Sequence, residues 1–456
     1  MAVLFLLQQH HGARAYPAEP GTWPTVTVQL PVFNEQFVVE RLIDAAAALD
    51  YPRQALSIQV LDDSTDRTLD LSRERVAAHC RHGVNIELIH RAERSGYKAG
   101  ALAAGLQTAP GEFIAIFDAD FVPPADFLRR LVPYLAADPG LGMVQARWGH
   151  LNEGYNLLTR AQALFLDGHF IVEQSIRCRS GLLFNFNGSA GVWRRSCIED
   201  AGGWHDDTLS EDLDLSYRAQ LKGWRFAFIP EVVAPAEIPP QVAALKQQQY
   251  RWARGSIQVL LKLSGQIWRS QISGKQRLGS FLHLSAYLAH PLMMILFLSC
   301  FPLVLEHEEG LPSLGLFSLA GFGPPLLFAV SQWGAYPDWR RRIFFFPFLV
   351  AMGVGIAFNN TRAVLAAISR RPSSFIRTPK YRLQSRHDVW RGKAYRLPIE
   401  WSVWVELALS AYALLCLVVA IKKFPPLAPT LALFTLGFGY VSILGIVQGR
   451  KGHRRT

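Results

Sequence analysis

The sequence has no closely spaced pair of cysteines. The five cysteines are Cys80, Cys178, Cys197, Cys300 and Cys416. None of them forms a CxxC pair, and two lie in apolar segments, so neither a zinc site nor a disulfide framework is indicated. This cysteine usage fits a reducing, cytosolic compartment.

Charged residues are also scarce, at 18% of the chain, whereas hydrophobic residues make up 50%. This balance is apolar for a fully soluble enzyme, and 456 residues exceed one compact domain. Most long uncharged runs follow residue 272, whereas the earlier part alternates like ordinary α/β sequence. We therefore expect a soluble domain followed by a membrane domain.

No basic stripe interleaved with aromatic residues runs through the soluble part, although the net charge is +11. A nucleic-acid partner is therefore not expected. The basic residues concentrate beside the apolar segments, at 370–396 and 449–456. Cytoplasmic loops of membrane proteins carry this bias, so membrane lipids are the expected surroundings.

The first residues are not predicted to form a secretory signal peptide. Residues 1–7 are apolar but much shorter than the roughly 20 residues that cross a bilayer. They have neither a basic n-region nor a cleavage site. Residues 1–22 are interpreted as the remnant of a first transmembrane helix or as an anchor end, and both alternatives stay open.

Polar residues follow three apolar strands, predicted at 25–30, 57–61 and 113–117. These polar residues are Asn34 and Glu35, then Asp62 and Asp63, then Asp118 and Asp120. Helical spacing between the strands predicts a mostly parallel sheet with helices on both faces. Ligands bind such sheets at the carboxyl ends of the strands, where we expect all six side chains to converge.

The glycine-rich phosphate fingerprint of dinucleotide folds is absent after the first strand. A divalent cation can neutralise a phosphate instead, and Asp118 and Asp120 place two carboxylates at one strand end. Mg²⁺ and Mn²⁺ prefer such oxygen ligands and stabilise a leaving diphosphate. A lone D-x-D triplet is more often a surface turn. The preceding apolar strand and the second acidic pair favour the metal site here.

A third acidic motif, Ser210-Glu211-Asp212, precedes a helical run. Ser210 at an N-cap with acids in the first turn explains this pattern structurally. The functional alternative makes Asp212 a general base that removes a proton from an acceptor hydroxyl. The spacing of these residues leaves both interpretations open.

Gln248, Arg251 and Trp252 lie in a long amphipathic segment. Such a helix can lie on a membrane surface with its tryptophan as an interface anchor. The planar guanidinium of Arg251 matches the geometry of a diphosphate, so we favour a diphosphate-binding role over a membrane-surface role for this residue.

Several long strings carry a family resemblance. They are YPR at 51–53, IQVLDDS at 58–64, GYKAG at 96–100, AIFDADF at 115–121, VQARW at 144–148 and FNGSAGVWR at 186–194. With these strings the chain resembles the inverting family 2 glycosyltransferases of the processive, membrane-embedded type, which include cellulose, hyaluronan and chitin synthases. It looks most like the cellulose-synthase-like A and C proteins, the β-mannan and glucan backbone synthases, from about residue 31 to 380.

The resemblance implies roles for matching residues. Asp63 would contact the nucleotide, Lys98 the diphosphate, and Asp118 and Asp120 the diphosphate and metal, with Asp212 as base. The QxxRW motif comprises Gln248, Arg251 on the diphosphate and Trp252 on the acceptor sugar. The remaining residues expected to bind substrate are Asn34, Glu35, Asp62, Phe186, Asn187, Gly188, Ser189, Glu211, Phe375, Thr378 and Lys380.

Two motifs depart from the family pattern. Ser210 replaces the usual threonine and keeps its hydroxyl. Residues 375–380 resemble the gating loop that closes over the nucleotide in cellulose synthases, but Arg377 replaces the valine of that pattern.

The resemblance implies a GT-A catalytic domain at 23–240, interfacial helices at 241–281 and a transmembrane domain at 282–456 with a cytosolic gating-type loop at 370–396. The implied reaction polymerises hexose from GDP-mannose, GDP-glucose or UDP-glucose into a β-1,4 polysaccharide with Mg²⁺ or Mn²⁺, and the chain could also secrete the product. A single-transfer lipid glycosyltransferase is the alternative. A scaffold that binds nucleotide sugar without turnover is disfavoured because every expected polar residue is kept. Helper subunits are invisible in the sequence.

Five apolar segments follow the soluble part, at 282–305, 314–333, 343–368, 403–421 and 427–447. Five crossings would place the basic loop 370–396 opposite the catalytic domain, against the positive-inside bias. The third segment carries Asn359, Asn360 and Arg362, so we predict that it is interfacial. Four crossings follow, with the acidic turn 306–309 outside and the catalytic domain cytosolic.

Overall fold

The computed structural model describes residues 2–8, 16–305, 322–371, 377–390, 393, 395 and 397–453. Its central feature is a seven-stranded sheet in the order β3-β2-β1-β4-β6-β5-β7. The strands are β1 (Val26–Val32), β2 (Leu56–Asp62), β3 (Ile86–His90), β4 (Phe113–Ile116), β5 (Leu141–His150), β6 (Gly191–Arg194) and β7 (Arg225–Ala236). β6 runs antiparallel to β4 and β5, and the other pairings are parallel. The predicted mostly parallel sheet is thus found.

Helices cover both faces of this sheet. In chain order the helices of this half are α1 (Ala2–Gln8), α2 (Val39–Ala47), α3 (Thr68–Arg81), α4 (Tyr97–Thr108), α5 (Phe127–Ala137), α6 (Leu157–Asp167), α7 (Ser175–Arg179), α8 (Arg195–Asp200) and α9 (Glu211–Leu221). A π-helix, Gly168–Gln174, joins α6 to α7.

Burial on both faces explains why the central strands are apolar throughout. Every residue of β2 is buried, and Val28 of β1 pairs with Ile58 of β2. One hydrophobic cluster joins Val28 to Leu42 of α2, and a second joins Ile114 of β4 to helices on the other face. Parallel strands covered on both sides show continuous apolar runs of this kind.

The second half of the chain is helical. Its helices are α10 (Val242–Arg269), α11 (Gly274–Leu284), α12 (Ala289–Leu298), α13 (Cys300–Leu305), α14 (Gly323–Ala335), α15 (Trp339–Ile343), α16 (Phe346–Gly355), α17 (Ala357–Ile368), α18 (Ser402–Lys423) and α19 (Ala428–His453). The segments Ser402–Lys423 and Pro425–Gly449 are long and apolar enough to cross a membrane. These two helices near the C-terminus fit a membrane protein.

Two bent helix pairs also have the length and composition of a span. Gly274–Leu284 meets Ala286–Pro302 at 47°, and Trp339–Gly355 meets Ala357–Ile368 at 43°. The second pair is the third apolar segment, whose first half packs on α19 and second half on α10. Its interfacial position stays a prediction, and the acidic turn 306–309 lies outside the described residues.

A buried ion pair connects the amphipathic helix α10 to α18. Lys246 Nζ lies 2.6 Å from Glu406 Oε1, and both side chains are almost fully enclosed. Asn359 of α17 donates to the Lys246 carbonyl oxygen at 2.9 Å. Since α10 also carries Arg251, the C-terminal helices are attached directly to the element that carries the QxxRW motif.

Candidate active site

The D-x-D carboxylates lie just beyond the end of β4, and each contacts a lysine. Lys98 Nζ is 2.5 Å from Asp118 Oδ1, and Lys380 Nζ is 2.5 Å from Asp120 Oδ2. Ser189 Oγ accepts the Asp118 backbone N–H at 3.0 Å and fixes this turn. The edge of the sheet therefore binds positive charge at two adjacent points.

A cavity of about 580 Å³ opens at this edge and extends to α16. It brings together most of the residues that the sequence singles out. Those that line it are Glu35, Asp63, Lys98, Asp118, Asp120, Asn187, Gly188, Glu211, Asp212, Gln248, Arg251, Trp252, Thr378 and Lys380.

Asn34 and Asp62 were expected to bind substrate, but the structure places both outside the cavity lining. Asn34 Oδ1 accepts the Thr65 N–H at 2.9 Å, and Asp62 accepts the Ser64 N–H at 2.9 Å. Short side-chain to backbone bonds of this kind shape turns. The two residues hold the loops that present Glu35 and Asp63.

Phe186 and Ser189 also lie behind the cavity wall. Phe186 is fully buried and packs edge-on against Trp193, with ring centroids 5.6 Å apart. Ser189 supports Asp118 as described above. The expectation of direct substrate contact therefore changes to wall support for both residues, and Phe375 lies outside the described residues.

Asp63 has a partner that the sequence interpretation missed. Arg91 Nε donates to Asp63 Oδ1 at 2.7 Å, and Arg91 Nη2 donates to Oδ2 at 2.6 Å. Such a two-point pair fixes the carboxylate geometrically. Arg91 immediately follows β3, as Asp63 follows β2, so its position at a strand end was the available signal.

Asp212 lies in the first turn of α9, with its carboxylate against the Gly188 loop. Burial, reinforced by the charge of Glu211, raises the pKa of Asp212 to about 7. A Cβ atom at Gly188, whose φ is +80°, would lie 2.9 Å from Asp212 Oδ2. Glycine is therefore required there for both the turn and the close approach.

Ser210 occupies the predicted N-cap position of α9, but its side chain makes no capping hydrogen bond. It packs instead against Gly255 of α10, where a Cβ atom would lie 2.0 Å from Ser210 Oγ. The backbones of α9 and α10 consequently meet beside Asp212.

Basic groups face the acidic motifs across the cavity. Burial alone would lower the pKa of Lys98, but Asp118 and Glu211 raise it above the usual lysine value. Burial lowers the pKa of Arg251 below the usual arginine value, although Glu211 and Asp118 oppose this shift. Lys98 and Arg251 therefore bring positive charge into the cavity that the acidic motifs line.

A row of contacts along α10 fixes its position relative to α9. Beyond Gly255, Gln258 Oε1 accepts the Leu209 N–H at 2.9 Å, and Lys262 Nζ lies 2.9 Å from Asp214 Oδ1. Asp214, His205 and Asp207 have the spacing of a metal site, but the Lys262 ammonium lies among them. We interpret this group as an ion-pair contact, here called the pin, in which Lys262 of α10 binds Asp214 of α9 and the preceding loop.

Replacing Lys262 by Met is expected to lower kcat more than donor affinity, because Asp212 and Arg251 would lose their fixed separation. A double-mutant cycle with Asp214→Asn should give a coupling free energy of about 0.5–3 kcal/mol, calculated from the kcat values, as for directly interacting side chains. Lys262→Arg should recover most of the activity. Lys222→Met, which removes an exposed lysine paired with Asp200, serves as the matched control. Additive effects of the two substitutions would contradict the pin.

A Rossmann-like mixed sheet whose carboxyl edge gathers acidic motifs and basic side chains defines the class of GT-A glycosyltransferase domains. The chain belongs to the glycosyltransferase like family 2, whose model matches residues 24–255. This confirms the family 2 resemblance expected from the local strings.

The chain is similar in sequence to several plant proteins that are named glucomannan 4-β-mannosyltransferases. The chain is 44% identical over 257 residues to glucomannan 4-β-mannosyltransferase 7 of Arabidopsis thaliana. The match covers 55% of this chain and 46% of the relative. It is 44% identical over 252 residues to glucomannan 4-β-mannosyltransferase 1 of Cyamopsis tetragonoloba, which covers 54% and 47%. The chain thus spans about half the length of the curated relatives it matches.

A solved structure shares the fold. A mannosyltransferase from Pyrobaculum calidifontis, determined in complex with GDP-Man and Mn²⁺, superposes with a TM-score of 0.55 at 22% identity. The match covers 81% of this chain and 93% of that one. The predicted GT-A architecture is confirmed.

Proposed function

We propose that this chain is an inverting β-glycosyltransferase that builds a β-1,4-linked mannan or glucomannan from a nucleotide sugar. One observation carries the proposal: the half-buried carboxylate of Asp212 shares a single cavity with the D-x-D pair and with the cations Lys98 and Arg251. A base, a diphosphate clamp and an acidic metal-binding edge are the parts that glycosyl transfer from a nucleotide sugar requires.

Asp118 and Asp120 fit a divalent cation. Both are carboxylates on one turn, and both contact an ammonium group, so this edge of the sheet attracts cations. Mg²⁺ or Mn²⁺ bound there would supply Lewis-acid stabilisation of the diphosphate.

The reaction follows from the placement of the side chains. Asp212 accepts the proton of an acceptor hydroxyl, whose oxygen attacks the anomeric carbon from the face opposite the diphosphate. The new C–O bond forms as the bond to the diphosphate oxygen breaks, which inverts an α donor into a β link. Lys98 and Arg251 stabilise the negative charge on the leaving group. Trp252 offers its ring to the acceptor sugar.

GDP-mannose is the donor that we propose first, with GDP-glucose and UDP-glucose as alternatives. The 44% identical relatives are named for mannosyl transfer in glucomannan synthesis. That likeness spans 55% of this chain and 46% of the Arabidopsis relative, so it supports GDP-mannose as the first donor to test and does not by itself define the product.

We propose a multi-pass membrane protein with a cytosolic catalytic domain at 23–240, interfacial helices at 241–281 and a membrane domain at 282–456. The charge bias of the loop at 370–396 supports the cytosolic side. The ion pair between Lys246 and Glu406 supports attachment of the catalytic domain to the span candidate Ser402–Lys423.

A second candidate, single transfer to a lipid acceptor, is favoured by the far end of the cavity. There the lining comes from Leu349, Met352 and Ile356 of a helix pair apolar enough to enter a membrane. An apolar wall suits an acyl or prenyl chain, whereas a polysaccharide path needs polar and aromatic side chains. Tyr287 and His290 supply such groups in the same cavity, which keeps the polymer proposal first.

The test is a donor panel on protein purified in nanodiscs, with release of nucleoside diphosphate measured in Mg²⁺ or Mn²⁺. We expect release from GDP-mannose and a product that a β-1,4-mannanase digests. A labelled lipid as the sole product would replace the polymer proposal with the second candidate. A folded protein that binds GDP and turns over none of the three donors would contradict both.

A further inference from the structure

Residues 377–383, here called the strap, cross the donor end of the cavity and are fixed by one buried side chain. Glu237, just after β7, accepts two backbone N–H groups of the strap. Its Oε1 accepts from Tyr381 at 2.8 Å and its Oε2 from Leu383 at 3.1 Å. The Glu237 side chain is fully enclosed, and Arg41 lies 3.7 Å away.

The backbone of Glu237 also contacts the D-x-D turn. Its N–H donates to the Asp120 carbonyl oxygen at 3.3 Å, and its carbonyl oxygen accepts from Lys380 Nζ at 3.1 Å. Lys380 Nζ contacts the Asp120 carboxylate as well. One residue therefore connects the end of β7, the candidate metal ligand and the lysine of the strap.

Further contacts hold the strap from its outer side. Tyr381 is 1% exposed and stacks near Phe37, and its hydroxyl donates to Gln241 Oε1 at 3.3 Å. Arg377 pairs with Glu35 at 2.6 Å and lies over the Tyr395 ring. Arg377 is the residue that departs from the gating-loop pattern, and its guanidinium adds a contact that a valine could not make.

Undocking the strap would leave the Glu237 carboxylate in a buried site without its two amide donors. The carboxylate would lose two hydrogen bonds and keep only the Arg41 contact at 3.7 Å, which is unfavourable for a buried group, so the docked arrangement is favoured even without a nucleotide. A loop that closes only on a bound donor would instead depend on the donor for its contacts.

We propose that Glu237 is a positioning residue that keeps the strap docked beside Asp120 in the donor-free protein. Lys380 is then a permanent part of the diphosphate end of the site, and loop closure does not deliver it. The kinetic part of this inference rests on the proposed function, whereas the docking itself does not.

Hydrogen exchange tests the docking on the full chain in nanodiscs, with GDP and MnCl₂ as the probe. In wild-type protein without GDP, the amides of Tyr381 and Leu383 should exchange slowly, and GDP with Mn²⁺ should change their rates by less than about twofold. Glu237→Gln should accelerate both by about tenfold or more, because one oxygen acceptor becomes an amide donor. Glu231→Gln, an exposed glutamate on the same strand, should leave both rates unchanged.

Rapid exchange in the donor-free wild type, with protection only after GDP and Mn²⁺ are added, would overturn the inference in favour of loop closure. That comparison needs no variant and no turnover, so its outcome is independent of the proposed reaction. In kinetics, Glu237→Gln should raise the KM for donor and the Mn²⁺ requirement more than it lowers kcat. If Glu237→Gln instead lowered both kcat and the melting temperature and left KM unchanged, the role of Glu237 would be purely structural.

Discussion

Replacing Asp212 by Asn is expected to lower kcat by about 10²–10⁴-fold, the usual contribution of a general base. The amide has nearly the same shape, so the Gly188 approach and the Leu213 N–H bond to Oδ1, 2.8 Å long, are kept. It cannot accept the proton of the acceptor hydroxyl. Donor KM should change little, since Lys98 and Arg251 hold the diphosphate.

The pH dependence gives the same assignment independently. Because Asp212 must be deprotonated to act and its pKa is raised to about 7, kcat/KM should fall as pH drops below that value. If Asp212 had the ordinary aspartate pKa of 3.8, kcat/KM would stay unchanged down to a much lower pH. A flat profile between pH 5 and 8, in contrast, would remove Asp212 from the role of base.

Stability measurements separate this loss of function from unfolding. The pKa of Asp212 is higher in the folded than in the unfolded chain, so its contribution to stability is fully present below 3.8 and is lost as pH rises through about 7. Asp212→Asn should therefore melt at the same or a higher temperature at pH 8. Asp70→Asn, on the exposed face of α3, is the matched control and should change neither rate nor melting.

The sheet and the acidic edge could be predicted from the sequence because each depends on local patterns. Apolar runs that end in Asp63 or Asp118 specify both a strand and the edge where it stops. The QxxRW motif falls on a helix whose spacing is readable in the same way. The D-x-D pair, Asp212 and Arg251 consequently lie in one cavity, as expected.

Contacts between distant segments could not be predicted from such patterns. Glu237 and Lys380 are 143 positions apart, and Lys246 meets Glu406 on a separate helix. No local period distinguishes these charged residues from exposed ones before the chain is folded. The same limit applies to Asp62, whose sequence neighbourhood matches Asp63 although its carboxylate accepts hydrogen bonds from Ser64.

Arg251→Met is expected to reduce kcat/KM by about 10²–10³-fold, comparable to the removal of one preorganised donor from a developing oxyanion. Arg251 lies near the carboxylates of Glu211, Asp118 and Asp212, whose negative charges favour its protonated form and oppose the effect of burial. A diphosphate brought into this acidic cavity needs that cation to offset repulsion. Most of the loss should appear in kcat, since the charge on the leaving oxygen grows as the glycosidic bond to the donor breaks.

Arg251→Lys distinguishes charge from geometry. It keeps the cation but replaces the planar fork with a point charge, so we expect partial activity with a larger loss than a surface Arg-to-Lys change would cause. Arg269→Met, on the exposed last turn of the same helix, is the matched control and should retain wild-type kinetics. Kinetics with GDP-mannose at saturating Mn²⁺ measure all three variants. If Arg251→Met retained wild-type kcat/KM, Arg251 would not hold the diphosphate, and Lys98, which lies beside Asp118 and Glu211, would have to hold it without Arg251.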